Sequence, residues 1–271
     1  MALSYRSFWK KFSSLERRAF LLVELADLRK RGRTIPPGLT RTILRSPSLA
    51  EDYVNFLRFL DPADSLQLID IGANTGEWSA SFLDAFPNTN VTAIEPSNEA
   101  YAELQARFSG DARVRLIKAG ASENPGTAQL MLGENSTLNS LEHYEEQFSD
   151  DRHNVLRGSE AVPLVRVDDV VTLDPAATRR VLKIDVQGHE ESALRGATAT
   201  LQKIDVALCE LSFVNEYKSV PPSFAPVTEI LRQAGLHAVI FQEYGTTLSN
   251  HRLESDVIYV RESLFRDLYN S

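Results

Sequence analysis

The run Leu66-Gln67-Leu68-Ile69-Asp70-Ile71-Gly72-Ala73-Asn74-Thr75-Gly76-Glu77-Trp78-Ser79 constrains this chain more than any other stretch. An apolar segment ends in an acid and passes straight into a loop of small residues that opens a helical pattern. In α/β proteins, a buried parallel strand feeding a glycine turn brings a nucleotide-like ligand against bare backbone. Gly72 and Gly76 have no Cβ, so the chain there can take unusual dihedrals and approach a ligand closely. Asp70 offers an acceptor for a cationic or hydroxyl-bearing group. Val91-Thr92-Ala93-Ile94-Glu95-Pro96 then reads as a second strand ending in an acid, about nineteen residues past Gly76, where such folds hold a ribose diol.

The glycine spacing separates ligand classes. A nicotinamide dinucleotide calls for G-x-G-x-x-G, a ring of backbone donors around a pyrophosphate. Here the order is Asp70-x-Gly72-x-Asn74-x-Gly76, and the middle of that fingerprint is missing. An ordinary strand-to-helix turn with incidental glycines is the bland alternative, and Glu95 weighs against it.

Strands and helices alternate after residue 60, which predicts a parallel sheet with helices on both faces. Strands are expected at 66–71, 90–95, 113–118, 180–186, 205–212, 236–242 and 255–261, the last antiparallel, with a further short strand at 127–132. Helices are expected at 76–86, 97–109, 188–201 and 223–234. Residues 133–160 are rich in Ser, Asn, Glu and Asp and read as a polar, substrate-shaping insertion. Before the sheet, helical spacing predicts helices over 3–31 and 48–60, separated by Gly32 and Pro36-Pro37-Gly38. The expected organisation is a helical arm or cap over 1–60 and one α/β domain over 61–271.

A second constellation repeats the logic of the first. Val181-Leu182-Lys183-Ile184-Asp185-Val186-Gln187-Gly188-His189-Glu190 is an apolar strand, an acid and a glycine that opens a helix. In doubly wound sheets this strand neighbours the first, so Asp185 should face the same crevice as Gly72. His189, four residues past Asp185, should lie one turn into the following helix, where both could meet on one face. Glu210 ends the next strand and should open onto the same crevice, and Asp256 lies near the start of the last strand.

Taken together, Asp70-Ile71-Gly72-Ala73-Asn74-Thr75-Gly76, Glu95-Pro96, the run from Lys183 to Glu190 with Leu194-x-Gly196, and Asp256-x-Ile258-Tyr259-Val260-Arg261 resemble the FkbM family of S-adenosylmethionine (SAM) dependent methyltransferases. The resemblance covers about 60–262 and leaves the arm outside. Where the family often has Glu, this chain has Gln187, one fewer charge beside Asp185. The resemblance implies a class I, Rossmann-like, doubly wound seven-stranded sheet, with S-adenosyl-L-methionine over the ends of the first three strands. It implies that Gly72, Ala73, Asn74, Thr75 and Gly76 face the methionine part, that Glu95 accepts the ribose hydroxyls, and that Pro96 and Ser97 line the adenine. Ala121 and Ser122 would border the adenine edge, and Asp185 would lie near the sulfonium or the incoming substrate. The family's main activity, O-methylation of sugar and secondary-metabolite hydroxyls, makes a glycan or small-molecule hydroxyl the expected acceptor.

Methyl transfer to an alcohol needs in-line alignment, exclusion of water and somewhere for the proton to go. Asp185, His189 and Glu210 are the candidates for that work, and the same three could hold a divalent cation. Each has a duller account: Asp185 capping a loop, His189 on the surface of a first helical turn, Glu210 paired with an arginine. Tyr217 could wall an acceptor pocket or sit in the core with a wet hydroxyl. His143 and His153 show no metal-ligand spacing and read as solvated. Ser136-Thr137-Leu138-Asn139-Ser140 could hydrogen-bond a polyhydroxylated acceptor, or be plain loop. Two other readings stay open: an NAD-linked oxidoreductase or epimerase on the same sheet, and a non-catalytic module with a methyltransferase-like shell.

Charge narrows the partners. Residues 1–45 hold eleven Lys/Arg against three Asp/Glu, a balance of +8 inside a net charge of −8, so the body carries −16. An acidic body lacks the basic footprint that nucleic acid requires. The basic arm could touch an anionic partner, a membrane surface or a second copy in a homodimer, or lie as a solvated face against the body. Cys209 is the only cysteine, so no internal disulfide can form; together with the lack of a clean signal-peptide core, this gives a cytoplasmic expectation.

Overall fold

The structure, a computed structural model, describes residues 5–36, 38–142, 156–214, 220–242 and 254–269. The chain divides into two compact units, one formed by residues 1–65 with 78–89, the other by 66–77 with 90–271.

In the first unit, helices Tyr5–Lys30, Leu39–Arg45 and Pro47–Phe56 join most of helix Glu77–Ala85. Leu21, Leu25, Leu28, Leu39 and Ile43 recur at helical spacing and are buried. Aromatic rings make the rest of this core: Trp78 stacks on Phe82 at 5.3 Å, Phe82 meets Phe86 at 4.7 Å, and Phe56 stands edge-on to Phe82 at 5.8 Å. Hydrogen bonds and ion pairs cross this core. Trp78 Nε1 donates to Asp52 Oδ2 at 2.6 Å and the Tyr53 hydroxyl to the Trp78 carbonyl at 2.9 Å. Arg17 pairs with Glu51 at 3.0 Å, and Arg58 pairs with Glu24. Helix Leu39–Arg45 was not expected, because Pro36-Pro37-Gly38 reads as a break and the helix beyond it is only seven residues long.

The second unit carries the sheet. Its strands are β1 (Leu66–Ile71), β2 (Thr89–Ile94), β3 (Val114–Ile117), β4 (Gly120–Ala121), β5 (Gly126–Gly133), β6 (Leu156–Val165), β7 (Arg179–Ile184), β8 (Val206–Ser212), β9 (Leu236–Phe241) and β10 (Glu254–Arg261). Seven of them form one sheet in the order β3-β2-β1-β7-β8-β10-β9. The pairs β1/β7, β7/β8 and β2/β3 are parallel, whereas β10 runs antiparallel to both β8 and β9. All six residues of β1 are buried, which is what a central parallel strand requires. Even Gln67 is satisfied there, donating to the Thr172 carbonyl at 2.7 Å and accepting from the Asp174 amide at 2.9 Å. At the far end Arg261 fans onto three carbonyls, those of Ile204, Leu201 and Ala234, at 2.6, 2.8 and 3.0 Å.

Three expectations change. The stretch 133–160 is not one loop: Leu156–Val165 is a strand, pairing antiparallel with β5 and parallel with β4 in a second, three-stranded sheet. The helix expected over 188–201 is two, Glu190–Arg195 and Thr198–Leu201. The break falls at Gly196, where a Cβ would stand 2.2 Å from the Ser122 carbonyl oxygen, so the backbone of the β4 end passes where a side chain would be. A C-terminal helix, Glu262–Tyr269, follows the last strand and was not anticipated.

Candidate functional site

The ends of β1 and β7 are joined directly, since the Asp185 amide donates to the Ile71 carbonyl at 3.1 Å. Gly72 follows with φ +80, and a Cβ on it would lie 1.9 Å from the Asp185 carbonyl oxygen. Glycine is therefore demanded twice, by dihedral and by space. The amides of Gly72 and Ala73 both donate to the Ile94 carbonyl, at 2.9 and 3.1 Å, which fastens the loop to the end of β2. Asn74 has φ +50, and its amide reaches Glu95 Oε2 at 2.8 Å. Ser97 donates its amide to Glu95 Oε1 at 2.9 Å, and its hydroxyl caps helix Asn98–Arg107. The Thr75 carbonyl accepts from Arg107 Nε at 2.7 Å. Gly76 lies against Leu104 and Phe108 of that same helix region.

Glu95 is the pivot of this loop. It is 6% exposed, and burial pushes its carboxyl up to about 7 against the pull of the Ser97 and Asn74 amides. Each carboxylate oxygen takes one backbone N–H and retains a lone pair. That leaves capacity for two hydroxyl donors, as a ribose diol would supply. Pro96 is partly buried beside it. Ala121 and Ser122 are both buried, but the Ser122 hydroxyl is engaged by the Ser192 hydroxyl at 3.1 Å.

Asp70 does not wait for an external cation. It is fully buried, and Lys183 Nζ sits 3.6 Å from its Oδ1. The same ammonium is 3.4 Å from Asp185 Oδ2. Burial alone would lower the Lys183 pKa, but Asp185 and Asp70 outweigh it and hold the ammonium charged. The lysine was present in the quoted motif without a role. Its signal was the two-residue spacing from Asp185, which puts both side chains on one face of an extended segment.

Asp185 and Glu210 are brought together. Gln187 Nε2 donates to Asp185 Oδ1 at 2.9 Å and to Glu210 Oε2 at 2.6 Å. Burial, then Asp185 and Asp256, push the Glu210 carboxyl well above the usual range, so it carries the proton of the pair. Burial would also raise Asp185, but Lys183 and hydrogen bonds from Glu210 and Gln187 bring it below its ordinary value. Glu210 thus pairs with an acid and an amide, and Asp256 faces it across the register on β10. Gln187 is held at φ +53, a conformation rare for a side-chain-bearing residue. Glu190 fixes that turn by accepting from the Gly188 and Val186 amides at 3.1 and 3.2 Å, and burial raises its carboxyl to about 7.

His189 does not lie one turn into the helix as the spacing predicts. The helix starts at Glu190, so His189 is the residue before it, and its Nδ1 lies 2.9 Å from Glu142 Oε1. Its Nε2 is buried and has no hydrogen-bond partner among the described residues. Glu142 was missed, and no motif or spacing marks it. Among the described residues no three His, Cys, Asp or Glu side chains are grouped to hold a metal ion, so Asp185, Glu210 and His189 are not a ligand set. Tyr217, His143 and His153 lie outside the described residues.

One short segment ties both loops together. Ser136 donates its hydroxyl to Asn74 Oδ1 at 3.0 Å, Ser140 donates to the Gln187 carbonyl at 2.5 Å, and Glu142 holds His189.

Comparison with known proteins gives this geometry a family. The chain matches the Methyltransferase FkbM domain over residues 70–237, more than half its length. No curated protein matches the chain. Among solved structures it is similar to a precorrin-6y C5,15-methyltransferase from Geobacter metallireducens GS-15, at 13% identity and a TM-score of 0.38 over 73% of this chain and 81% of that one. It is also similar to Aeropyrum pernix fibrillarin with bound SAM, at 11% identity and a TM-score of 0.42 over 74% and 69%. A third is a Burkholderia thailandensis 1,6-didemethyltoxoflavin-N1-methyltransferase, at 14% identity and a TM-score of 0.39 over 96% and 92%. The family match selects S-adenosylmethionine over a dinucleotide, in keeping with the broken glycine fingerprint and the mostly parallel Rossmann-like sheet. The chain belongs to the FkbM methyltransferases, enzymes that use S-adenosylmethionine as the methyl donor.

Proposed function

We propose that this enzyme methylates oxygen, on a hydroxyl of a sugar, glycan or secondary metabolite. The observation that carries the reading is the Glu142–His189 pair, with Nδ1 2.9 Å from a carboxylate and Nε2 buried with no partner among the described residues. A carboxylate accepts only, so Nδ1 carries a proton, and in the neutral ring Nε2 presents a lone pair. That is the arrangement of a general base steadied by an acid.

Bound S-adenosylmethionine supplies an activated methyl on a cationic sulfur. The chain's own residues do the rest. Loop 72–76 with Glu95, Pro96, Ser97, Ala121 and Ser122 would hold the cofactor. Asp185, kept ionised by Lys183, would face the positive sulfur. His189 Nε2 would take the hydroxyl proton, and Glu142 would stabilise the resulting imidazolium. Glu210, being protonated, adds no second negative charge next to Asp185 and leaves the acceptor site suited to a neutral alcohol.

A panel of hydroxylated acceptors, assayed for transfer of a labelled methyl with the product located by NMR, tests the assignment. The expected product is a methyl ether, with His189→Gln lowering kcat by roughly 100-fold or more while cofactor affinity is kept. Methylation on nitrogen or carbon, or full activity in His189→Gln, refutes it. Cofactor binding with no transfer to any acceptor favours the non-catalytic module.

A further inference from the structure

Helix Tyr5–Lys30 contains Ala19-Phe20-Leu21-Leu22-Val23, five consecutive apolar residues. At about 100° per residue, such a run encircles the helix, so one neighbour cannot cover it all. Leu21, Leu25 and Leu28 face the interior of the arm, at 1%, 6% and 4% exposure. Phe20 and Val23 face outward, at 61% and 66%, with Leu22 at 39%. Ala19 and Ala26 are exposed beside them. Six large apolar side chains are exposed among the described residues, and four of them, counting Leu44 at 55%, fall between positions 20 and 44. An exposed apolar cluster of this kind marks a surface that meets something else.

The chemistry of the surroundings selects the cover. The outward stripe Val23, Ala26, Lys30 ends in an exposed cation, and Arg29 is exposed next to it. On helix Leu39–Arg45, Leu44 is flanked by exposed Arg41 and Arg45. A second copy docking the same face would bring together two arms that each carry +8 over residues 1–45, and like charges oppose that. Apolar side chains interleaved with cations suit a surface that offers hydrocarbon beneath phosphate. No helix among the described residues is long and apolar enough to cross a membrane, so the fit is to a leaflet surface. We infer that the exposed face of helix Tyr5–Lys30, centred on Phe20 and Val23 with Lys30 at the end of their stripe and Arg29 beside it, docks on anionic phospholipid.

Flotation of the full chain with vesicles tests this. One set is phosphatidylcholine alone, the other equimolar phosphatidylcholine and phosphatidylglycerol. Expected is binding to the anionic vesicles that weakens with added salt, little binding to phosphatidylcholine, and a loss of roughly tenfold or more in Phe20→Glu/Val23→Glu. Arg29→Glu/Lys30→Glu should weaken binding to the anionic vesicles alone. Both pairs are exposed, so circular dichroism should be unchanged, and the lipid and salt comparison on the native chain stands without them. No binding, equal binding to both vesicle types, or undiminished binding of the glutamate variants overturns the inference. A dimer by light scattering that Phe20→Glu/Val23→Glu abolishes would give the face to a second copy instead.

Discussion

Cofactor binding should be gated by protonation of Glu95. In the free enzyme its carboxyl sits at about 7, above the ordinary 4.5, because burial outweighs the two amides that bond it. A ribose diol donates to the carboxylate and so favours the ionised form, drawing the pKa back toward its usual value on binding. The sign follows from linkage: the group must lose a proton to bind, so affinity rises with pH through 7 and then levels. Relative to its plateau near pH 9, S-adenosylhomocysteine should bind roughly twofold more weakly at pH 7 and about tenfold more weakly at pH 6. The cofactor-free fold should move the opposite way. A carboxyl raised in the folded state favours that state while protonated, so its contribution is present at low pH and lost as pH climbs through about 7. Calorimetric titration across this range, repeated on Glu95→Gln, measures the first trend. The variant should bind about 10- to 150-fold more weakly at the plateau, from ~1.5–3 kcal/mol of lost charge-assisted bonding, and its affinity should no longer follow pH. Glu190 is raised to the same level and is the internal competitor. A pH slope that survives in Glu95→Gln would move the titration away from the ribose site and refute the argument.

Gly72→Ala and Gly110→Ala share φ values of +80 and +81, but only the first would strike backbone, 1.9 Å from the Asp185 carbonyl oxygen. Gly110→Ala should cost about 1 kcal/mol of strain and Gly72→Ala several, read by urea denaturation; equal costs would mean that the loop yields freely. Gln187→Glu replaces the amide bridging Asp185 and Glu210 by a third carboxyl, and should lower stability at pH 8 by ~1–3 kcal/mol with the deficit shrinking toward pH 5. A deficit that does not vary with pH would exclude charge repulsion as its cause. Asp52→Ala strands the buried Trp78 indole N–H and should cost ~1–3 kcal/mol in thermal or chemical unfolding; a silent substitution would show that the donor finds another partner.

The strands that end at the site were legible because burial and chemistry coincide there. β1 and β7 are apolar runs stopped by an acid and a glycine, and both lie within two residues of their expected bounds. β6 was illegible for the opposite reason. Leu-Arg-Gly-Ser-Glu-Ala-Val-Pro has little apolar alternation, most of the strand is exposed, and cross-strand bonds to β5 define it. The need for glycine at position 196 was hidden because it comes from the Ser122 backbone, more than seventy residues away in sequence. In the site, local spacing revealed the 72–76 loop and Glu95, and neighbouring parallel strands brought Asp185 and Glu210 together. Helical spacing misplaced His189, because the turn through Gln187 and Gly188 delays the helix to Glu190. Glu142 comes from a distant loop, where a lone carboxylate carries no sequence signal.

The stitches from Ser136, Ser140 and Glu142 have a thermodynamic corollary. They run from one stretch of chain to Asn74, on the side proposed for the donor, and to Gln187 and His189, on the side proposed for the acceptor. An occupant that shifts either side therefore strains a bond leading to the other, and the resulting crosstalk is reciprocal. Whatever factor a bound methyl acceptor confers on donor affinity, the donor must confer on the acceptor. Swapping this stretch alone would retune both affinities together while leaving every strand of the large sheet in place.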